Sequence, residues 1–440
     1  MYLGPFLMND KTYYIETYGC QMNEYDSALV EGLLETEGYT KAPSPEGADV
    51  VLVNTCSVRE KAEETAYEKL RNLQALKKAK PGMKLGMIGC MAENKKESVY
   101  ARLPKLDLAV GPDHYEELPR LLGLSGRNTS VGTSRESVYE GAYAQAISGA
   151  LAHVAVQRGC NFHCAYCIVP STRGPEKSRS LHDVLEEVRR LAAKGVVEIS
   201  LLGQTVNAYR AKDGSWIELL AAVSEVAGIE RIRYTSPHPR YFTRPVVEAM
   251  ARLPKVMPHV HLPVQSGSTP ILKAMRRQYT RDHYLATIER LRELIPGAAV
   301  TTDIIAGFPG ETLEDHEATL SLMEAVRFEQ AYMFAYSPRP GTPSFGMAES
   351  IDAAEKQRRL AEIIELQHGH ARQRLDESVG LTESVMLEGP SRREASEWIG
   401  KTPQSRKVIV APGEGARAGQ ILPVKVTARR GTVLWGEVAR

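Results

Sequence analysis

The stretch Gln157–Gly174 reads QRGCNFHCAYCIVPSTRG, and its reading orders the rest of the chain. Cys160, Cys164 and Cys167 spell CxxxCxxC within it. The β-like run His153–Gln157 ends just before them, so the three thiols fall on a loop at a strand's carboxyl end. Three thiolates on one short loop suit three irons of a four-iron cube, whose fourth iron then stays open to a small molecule. A structural zinc ordinarily takes four closed ligands, and His163 is awkwardly placed in the same tight loop to be the fourth.

Downstream, β-like segments recur at Val196–Leu202, Arg231–Thr235, His259–Val264, Ala299–Ile305 and Ala331–Tyr336. Helical patterns fill most of the gaps, among them Leu181–Lys194, Trp216–Val226, Pro245–Leu253, Arg281–Leu294 and Leu313–Val326. Six βα repeats over residues 150–376 predict a parallel, curved sheet, a barrel short of the usual eight units. The loops after its strands (GQTVNAY, SPHP, QSGS, GFPGET) are polar and rich in Gly and Pro, and in such folds those loops carry the chemistry. Met333, Phe334 and Phe345 read as core.

Upstream, residues 11–124 alternate strands and helices, which predicts an open parallel α/β domain. Its strands are expected at Thr12–Glu16, Asp49–Val53, Lys84–Ile88 and Leu106–Val110, with helices at Ala28–Leu34, Lys61–Leu76 and Asn94–Arg102. Cys20, Cys56 and Cys90 each directly follow one of these strands. Ligands of open α/β sheets bind outside the strands' carboxyl ends, so three cysteines at three such ends can converge. One buried cysteine alone would read as a small hydrophobe. Three in equivalent places, two of them preceded by Gly, favour a site.

Residues 125–149 are polar and rich in Gly, Ser and Thr, a linker pattern. Residues 378–440 hold short alternating runs (Ser384–Leu387, Lys407–Val410, Ile421–Ala428, Thr432–Glu437) broken by Gly and Pro, which predicts a small all-β barrel or sandwich. From Ser391 onward ten Lys and Arg face four Asp and Glu, a local basic patch suited to RNA. The whole chain carries 55 Lys+Arg against 54 Asp+Glu in 440 residues, which excludes a strongly basic nucleic-acid-coating protein. An apolar content of 43% excludes intrinsic disorder. No stretch reaches the roughly 18–20 apolar residues of a membrane span. Met1–Asp10 has no signal-peptide pattern, so a cytoplasmic, reducing setting is expected, with six cysteines and no disulfide scaffold.

CxxxCxxC with Tyr166 before its last cysteine, after the first strand of a six-fold βα barrel, resembles the radical S-adenosylmethionine (SAM) enzymes. The upstream trio makes the chain resemble the methylthiotransferase family over nearly its whole length. YGCQMNEYDS (Tyr18–Ser27) and NTCSVREKAE (Asn54–Glu63) look like the branch that makes 2-methylthio-N6-dimethylallyladenosine in tRNA. The ribosomal-protein branch has a proline-lysine pair in place of Gln21–Met22, and the threonylcarbamoyl-adenosine branch has threonine in place of Ser57.

The resemblance implies two [4Fe–4S] clusters, one on Cys20, Cys56 and Cys90 and one on Cys160, Cys164 and Cys167. It implies that one SAM methylates a sulfur at the first cluster and a second SAM, at the other, yields a radical that activates C2 of the prenylated adenine. The partners implied are the tRNA anticodon loop and an electron donor such as flavodoxin or ferredoxin. The small C-terminal (TRAM-like) domain is expected to hold tRNA, and its loss to weaken tRNA binding while sparing SAM cleavage. A monomer away from membranes is expected.

Candidates for SAM contact are Tyr166, Glu176, Ser178, Gln204, Asn207, Ser236, His238, Gln265 and Asp303, a ring of polar residues at successive strand ends. Gly307, Pro309 and Gly310 are expected to let backbone approach the adenosine. Arg276 and Arg277 fit either a phosphate or an acidic partner. Tyr25, Arg59 and Lys61 are candidate RNA contacts. Three other readings stay open. One is a methylthiotransferase acting on threonylcarbamoyladenosine or a ribosomal aspartate. Another is a radical SAM enzyme whose first domain is only structural. The third is a non-catalytic metal-bearing RNA-binding protein.

Overall fold

Apolar runs make the central strands of the first sheet. Val50–Thr55 (β3) and Lys84–Gly89 (β4) are buried along almost their whole length, as strands of a parallel sheet covered on both faces must be. The computed structural model describes residues 11–57, 60–136, 138–144, 149–394 and 396–439. The chain divides into two units. The first gathers the chain up to residue 147 with His153–Asn161 and Cys167–Asp183, and the second holds Ser148–Ala152, Phe162–Tyr166 and Val184–Arg440.

In the first unit, β1 (Thr12–Tyr18), β2 (Thr40–Lys41), β3, β4, β5 (Leu108–Val110) and β6 (Asn128–Ser130) form a parallel sheet in the order β2-β1-β3-β4-β5-β6. Helices α1 (Gln21–Thr36) and α2 (Glu60–Ala79) follow β1 and β3, and α3 (Cys90–Lys95) starts at the end of β4. Separate apolar clusters flank the sheet. One is built around Leu70, Leu73 and Met91, the other around Leu29, Leu34 and Tyr115. The helix expected over Asn94–Arg102 is broken, because Lys96 takes a positive φ of 50° after α3. β6 lies in the stretch expected as a linker: Asn128–Ser130 pairs in parallel with β5.

All six strands expected in residues 150–376 are present, but as two three-stranded sheets. β7 (Leu151–Ala155) opens the order β13-β10-β7 with β10 (Glu198–Leu202) and β13 (Arg231–Tyr234), and β8 (Gln157–Arg158) pairs with β9 (Lys177–Ser178). A short hairpin, β11 and β12 (Arg210–Ala211, Gly214–Ser215), lies in the loop after β10. β14 (His259–His261), β15 (Ala299–Ala306) and β16 (Gln330–Ala335) make the second sheet. Ile232 of β13 bonds Lys255 O and Met257 N, just ahead of Pro258, which has no N–H with which to continue that ladder into β14.

Residues 382–438 close a barrel of β17 (Thr382–Pro390), β18 (Trp398–Lys401), β19 (Lys407–Val410), β20 (Ile421–Arg430) and β21 (Val433–Val438), in the order β17-β18-β19-β21-β20. It is docked by arginines on the starts of the core strands. Arg231 donates to Lys401 O (2.8 Å) and Ser384 O (2.7 Å), and Arg233 to Pro403 O (3.0 Å) and Thr402 O (2.9 Å). Arg406 pairs with Glu329 just before β16 (2.6 Å). The small barrel therefore covers the amino ends of the strands, opposite the loops that bear the motifs. Among the described residues, no helix is long and apolar enough to cross a membrane.

Candidate functional site

Register brings the first cysteine trio together. Tyr18, Thr55 and Gly89 lie on one rung of adjacent strands β1, β3 and β4, so Cys20, Cys56 and Cys90 follow in a row. Neighbouring strands are about 4.8 Å apart, which places thiols on three successive strand ends within reach of one cluster. Cys20 is the N-cap of α1 and Cys90 the first residue of α3. Gly89 has φ 93°, and a Cβ there would stand 2.4 Å from Asn54 Oδ1 and 2.8 Å from Thr55 O, so only glycine permits the turn into Cys90.

Buried polar side chains lock this end of the sheet. Asn23 Nδ2 donates to Asn54 Oδ1 (3.0 Å), and Asn54 Nδ2 to Ser27 Oγ (3.0 Å). Ser57 is wholly buried, donates to Glu63 and accepts from Asn94 Nδ2 (2.8 Å). Burial pushes the Cys90 thiol up to about 12. The guanidinium of Arg173 opposes this, while Cys56 and Cys20 add to it, so the three thiols act on one another.

Asp26, within the Tyr18–Ser27 motif, is fully buried between Arg158 Nη2 (2.7 Å) and Arg173 Nη2 (2.8 Å). Arg173 Nε also donates to Cys90 Sγ (3.2 Å). Burial alone would raise the Asp26 carboxyl, but Arg158 and Arg173 overcome it and hold the group below the usual range. None of these three charges was singled out in the sequence. Tyr25 is corrected: it is buried, and its hydroxyl accepts from Arg179 (3.0 Å), so it is not open to RNA. Arg59 and the Lys61 side chain lie outside the described residues.

The loop of Cys160, Cys164 and Cys167 contributes to both units. In the first, Cys160 N donates to Gly174 O (3.0 Å), and Gly159 has φ 73° with Pro175 O only 2.0 Å from where a Cβ would stand. The Glu176 carboxylate accepts from Asn161 N (3.3 Å) and Nδ2 (3.2 Å), and Ser178 pairs with Gln157. In the second, Ala165 N donates to Met275 O (3.0 Å) and Ser344 N to Ala165 O (2.8 Å). Phe162 stacks on His238 at 3.9 Å and 8°. Burial, with Arg277, Arg240 and His283 adding to it, pushes His238 down to about 2, so its ring is neutral. Arg277, buried, donates to Cys164 Sγ (3.3 Å).

The remaining candidates lie on strand-end loops of the second unit. Asn207 and His238 clip two of these loops together through His238 N to Asn207 Oδ1 (2.8 Å) and Asn207 Nδ2 to His238 O (3.1 Å). Gln204 is half-buried in the first of them. Ser236 (φ 56°) and Gln265 (φ 73°) are left-handed non-glycine residues, a strain that clusters at functional sites. Tyr166 packs beside Phe308 and Tyr336. Gly307 and Gly310 both have positive φ (73° and 86°), and Gly310 N donates to Ser350. Asp303 lies 3.4 Å from His261 Nε2 and opposite Tyr332 in the sheet.

That face of the sheet corrects a second expectation. Phe334 and Phe345 are not core, and Phe345 is 51% exposed. Ala331 and Ile304 are buried on the side of the helix Ala353–Asp376, so Tyr332 (47% exposed) and Phe334 point to the other side with Asp303 and Ile305. A cavity of about 480 Å³ lies elsewhere, at the amino ends of the strands. Its arginines are engaged: Arg327 and Arg374 by Glu377, Arg406 by Glu329 and Arg292 by Val326 O.

Among the described residues, no three His, Cys, Asp or Glu close on a single metal ion. A four-iron cube makes a different demand, since each thiolate reaches its own iron. Both cysteine sets meet that demand in chemistry, with three thiols each and a buried guanidinium on Cys90 and on Cys164 that suits an anionic group.

Comparison with known proteins extends these observations. Residues 154–323 match the family described as Radical SAM superfamily, and residues 12–111 match Uncharacterized protein family UPF0004. The chain is 41% identical to a tRNA-2-methylthio-N6-dimethylallyladenosine synthase of Carboxydothermus hydrogenoformans, over 96% of this chain and 97% of that one. It is 42% identical to the protein of the same name from Delftia acidovorans, over 97% and 99%. Among solved structures, the radical S-adenosylmethionine methyltransferase TsrM of Kitasatospora setae with cobalamin and a [4Fe–4S] cluster bound is similar in fold, with a TM-score of 0.57 and 15% identity over 76% of this chain and 77% of that one.

Proposed function

The chain belongs to the tRNA-2-methylthio-N6-dimethylallyladenosine synthases of the radical SAM superfamily, and on that premise we propose that it methylthiolates C2 of N6-isopentenyladenosine beside the tRNA anticodon. The observation that carries this reading is the row of Cys20, Cys56 and Cys90 on adjacent strand ends, upstream of the CxxxCxxC loop. When bound at the two cysteine sets, four-iron clusters would supply SAM binding and one-electron chemistry at one and a sulfur site at the other.

The chain's own residues do the positioning. Gly159, Phe162 and Ala165 fix the loop that presents Cys160, Cys164 and Cys167. Ser57, Asn54 and Asn23 hold the strand ends that present Cys20, Cys56 and Cys90. Ser236, Gln265 and Asp303, on strand-end loops and the open sheet face, are the residues proposed to meet SAM. A base cannot be attacked at C2 while stacked, so the nucleotide must be splayed out of the anticodon loop. Tyr332 and Phe334 offer that base and its apolar prenyl chain an aromatic wall, a use that accounts for their exposure. In the small barrel, Arg406 and Arg429 are occupied by Glu329 and Asp376, and Arg392, Arg393, Arg417 and Lys425 are among the exposed basic residues that would meet tRNA phosphates. A flavodoxin- or ferredoxin-type donor would supply electrons, and the reaction is assigned to a monomer in the cytoplasm, where its tRNA substrate is found.

The test pairs anaerobic reconstitution with nucleoside analysis. Roughly eight irons per chain are expected, together with conversion of N6-isopentenyladenosine to its 2-methylthio form in tRNA. A deletion strain whose tRNA keeps that product would reject the assignment.

A further inference from the structure

Arg277 lacks the partner a buried cation ordinarily has. It is 7% exposed, and its guanidinium donates to Cys164 Sγ (3.3 Å), Pro263 O (3.2 Å) and the Tyr279 hydroxyl (2.9 Å). Among the described residues no carboxylate pairs with it, and the groups that act on it are the phenols of Tyr166 and Tyr279 and the Cys164 thiol. Neutral acceptors satisfy its N–H groups but leave its charge uncompensated, and an uncompensated buried charge is costly. Its backbone setting is costly too: Arg276 and Gln278, on either side, have φ of 59° and 58°, left-handed in residues that have a Cβ. Two strained neighbours hold an unpaired guanidinium against one sulfur of the CxxxCxxC loop. The arrangement is complete only when the loop carries an anion.

We propose that Arg277 is the built-in counter-ion of the group held by Cys160, Cys164 and Cys167, and that its charge raises the reduction potential there. This rests on the reading that those three cysteines hold a four-iron cluster. On reduction one electron enters from the donor, no bond forms or breaks, and Arg277 keeps its proton. A fixed positive charge beside a ligating sulfur favours the state with the extra electron, and hydrogen bonds to cluster sulfurs act in the same direction. Arg277 thus acts through Cys164, as a positioning and tuning residue.

The test uses reconstituted holoenzyme, poised stepwise with dithionite and followed by electron paramagnetic resonance. The loop cluster is recognised as the signal that changes when SAM is added. In Arg277→Gln with a full iron count, its midpoint is expected to move to more negative potential, so that a smaller fraction is reduced at the wild-type midpoint. Arg277→Lys should recover most of the shift, and the signal of the other cluster should stay in place. An unmoved midpoint in fully loaded Arg277→Gln overturns the proposal, and so does an equal shift in Arg277→Lys, which would mean that shape and not charge matters. If Arg277→Gln loads poorly, Tyr279→Phe is read in its place. Loss of the hydroxyl that holds Nε should shift the midpoint the same way by less, and no shift at full loading refutes the idea. A wild-type chain with no cluster on the loop would refute the site reading itself.

Discussion

Replacing Asp26 with asparagine removes one negative charge from a place where two guanidiniums depend on it. Asp26 is fully buried, 2.7 Å from Arg158 and 2.8 Å from Arg173, and within reach of the Tyr115 hydroxyl (3.3 Å). Asparagine keeps the shape, so the loss is electrostatic. Removing one partner of a buried ion pair costs about 3–5 kcal/mol, because the other is left buried and uncompensated. Each kcal/mol moves the melting temperature by about 2–4 °C in a unit of this size, so the first unit should melt roughly 6–20 °C lower. The assay is thermal unfolding of the cluster-free protein near neutral pH, with hydrogen exchange on β1, β3 and β4 to assign the transition. The sign with pH follows from the lowered folded-state pKa of Asp26. Its contribution is fully present above the ordinary carboxylate value and is lost as pH falls through the folded value. The gap between wild type and Asp26→Asn should therefore be widest at neutral pH and narrow in acid. A variant that melts within about 2 °C of wild type at pH 7 would refute this reasoning.

Cys56→Ala should leave SAM cleavage by the other site intact, abolish methylthio transfer and lower the iron content by roughly four per chain; retained transfer would contradict the two-site reading. Gly159→Ala would put a Cβ 2.0 Å from Pro175 O at a positive φ, so iron bound by the CxxxCxxC loop should fall while the other site keeps its own, as an iron count with spectroscopy checks. Tyr332→Ala combined with Phe334→Ala removes the aromatic wall. With base stacking worth about 1–3 kcal/mol, the KM for prenylated tRNA should rise roughly 5- to 150-fold while SAM cleavage without tRNA is unchanged; an unaltered KM would remove both residues from the substrate path.

Long apolar runs made most of the fold legible. β3, β4 and β15 could be read directly, since their burial is written in apolar residues, β-branched for the most part in β3 and β15. β2 and β6 could not, because Thr40–Lys41 and Asn128–Ser130 are short, polar edge strands whose pairing comes from the neighbour and not from their own sequence. β18, paired on both sides within the barrel, is hidden for another reason: its four residues, WIGK, carry no alternation. At the site, cysteine spacing pointed to both trios, but the charges around them stayed hidden. Arg173 and Asp26 are 147 residues apart, and nothing local marks the pair. Phe334 was misread because its strand alternates like any half-buried one, and only the covering helix decides which face is open.

The carbonyls of Ser384, Lys401, Thr402 and Pro403 are the acceptors that Arg231 and Arg233 use. The C-terminal barrel is for that reason the floor of the fold it docks on, beside the tRNA-holding role proposed for it, and it is not a portable module. A chain cut before residue 378 would leave those two arginines and Glu329 stranded, so a lost activity would report on an opened floor before it reported on tRNA. Charge reversals confined to Arg392, Arg393, Arg417 and Lys425 separate the two roles, because none of these side chains takes part in the docking.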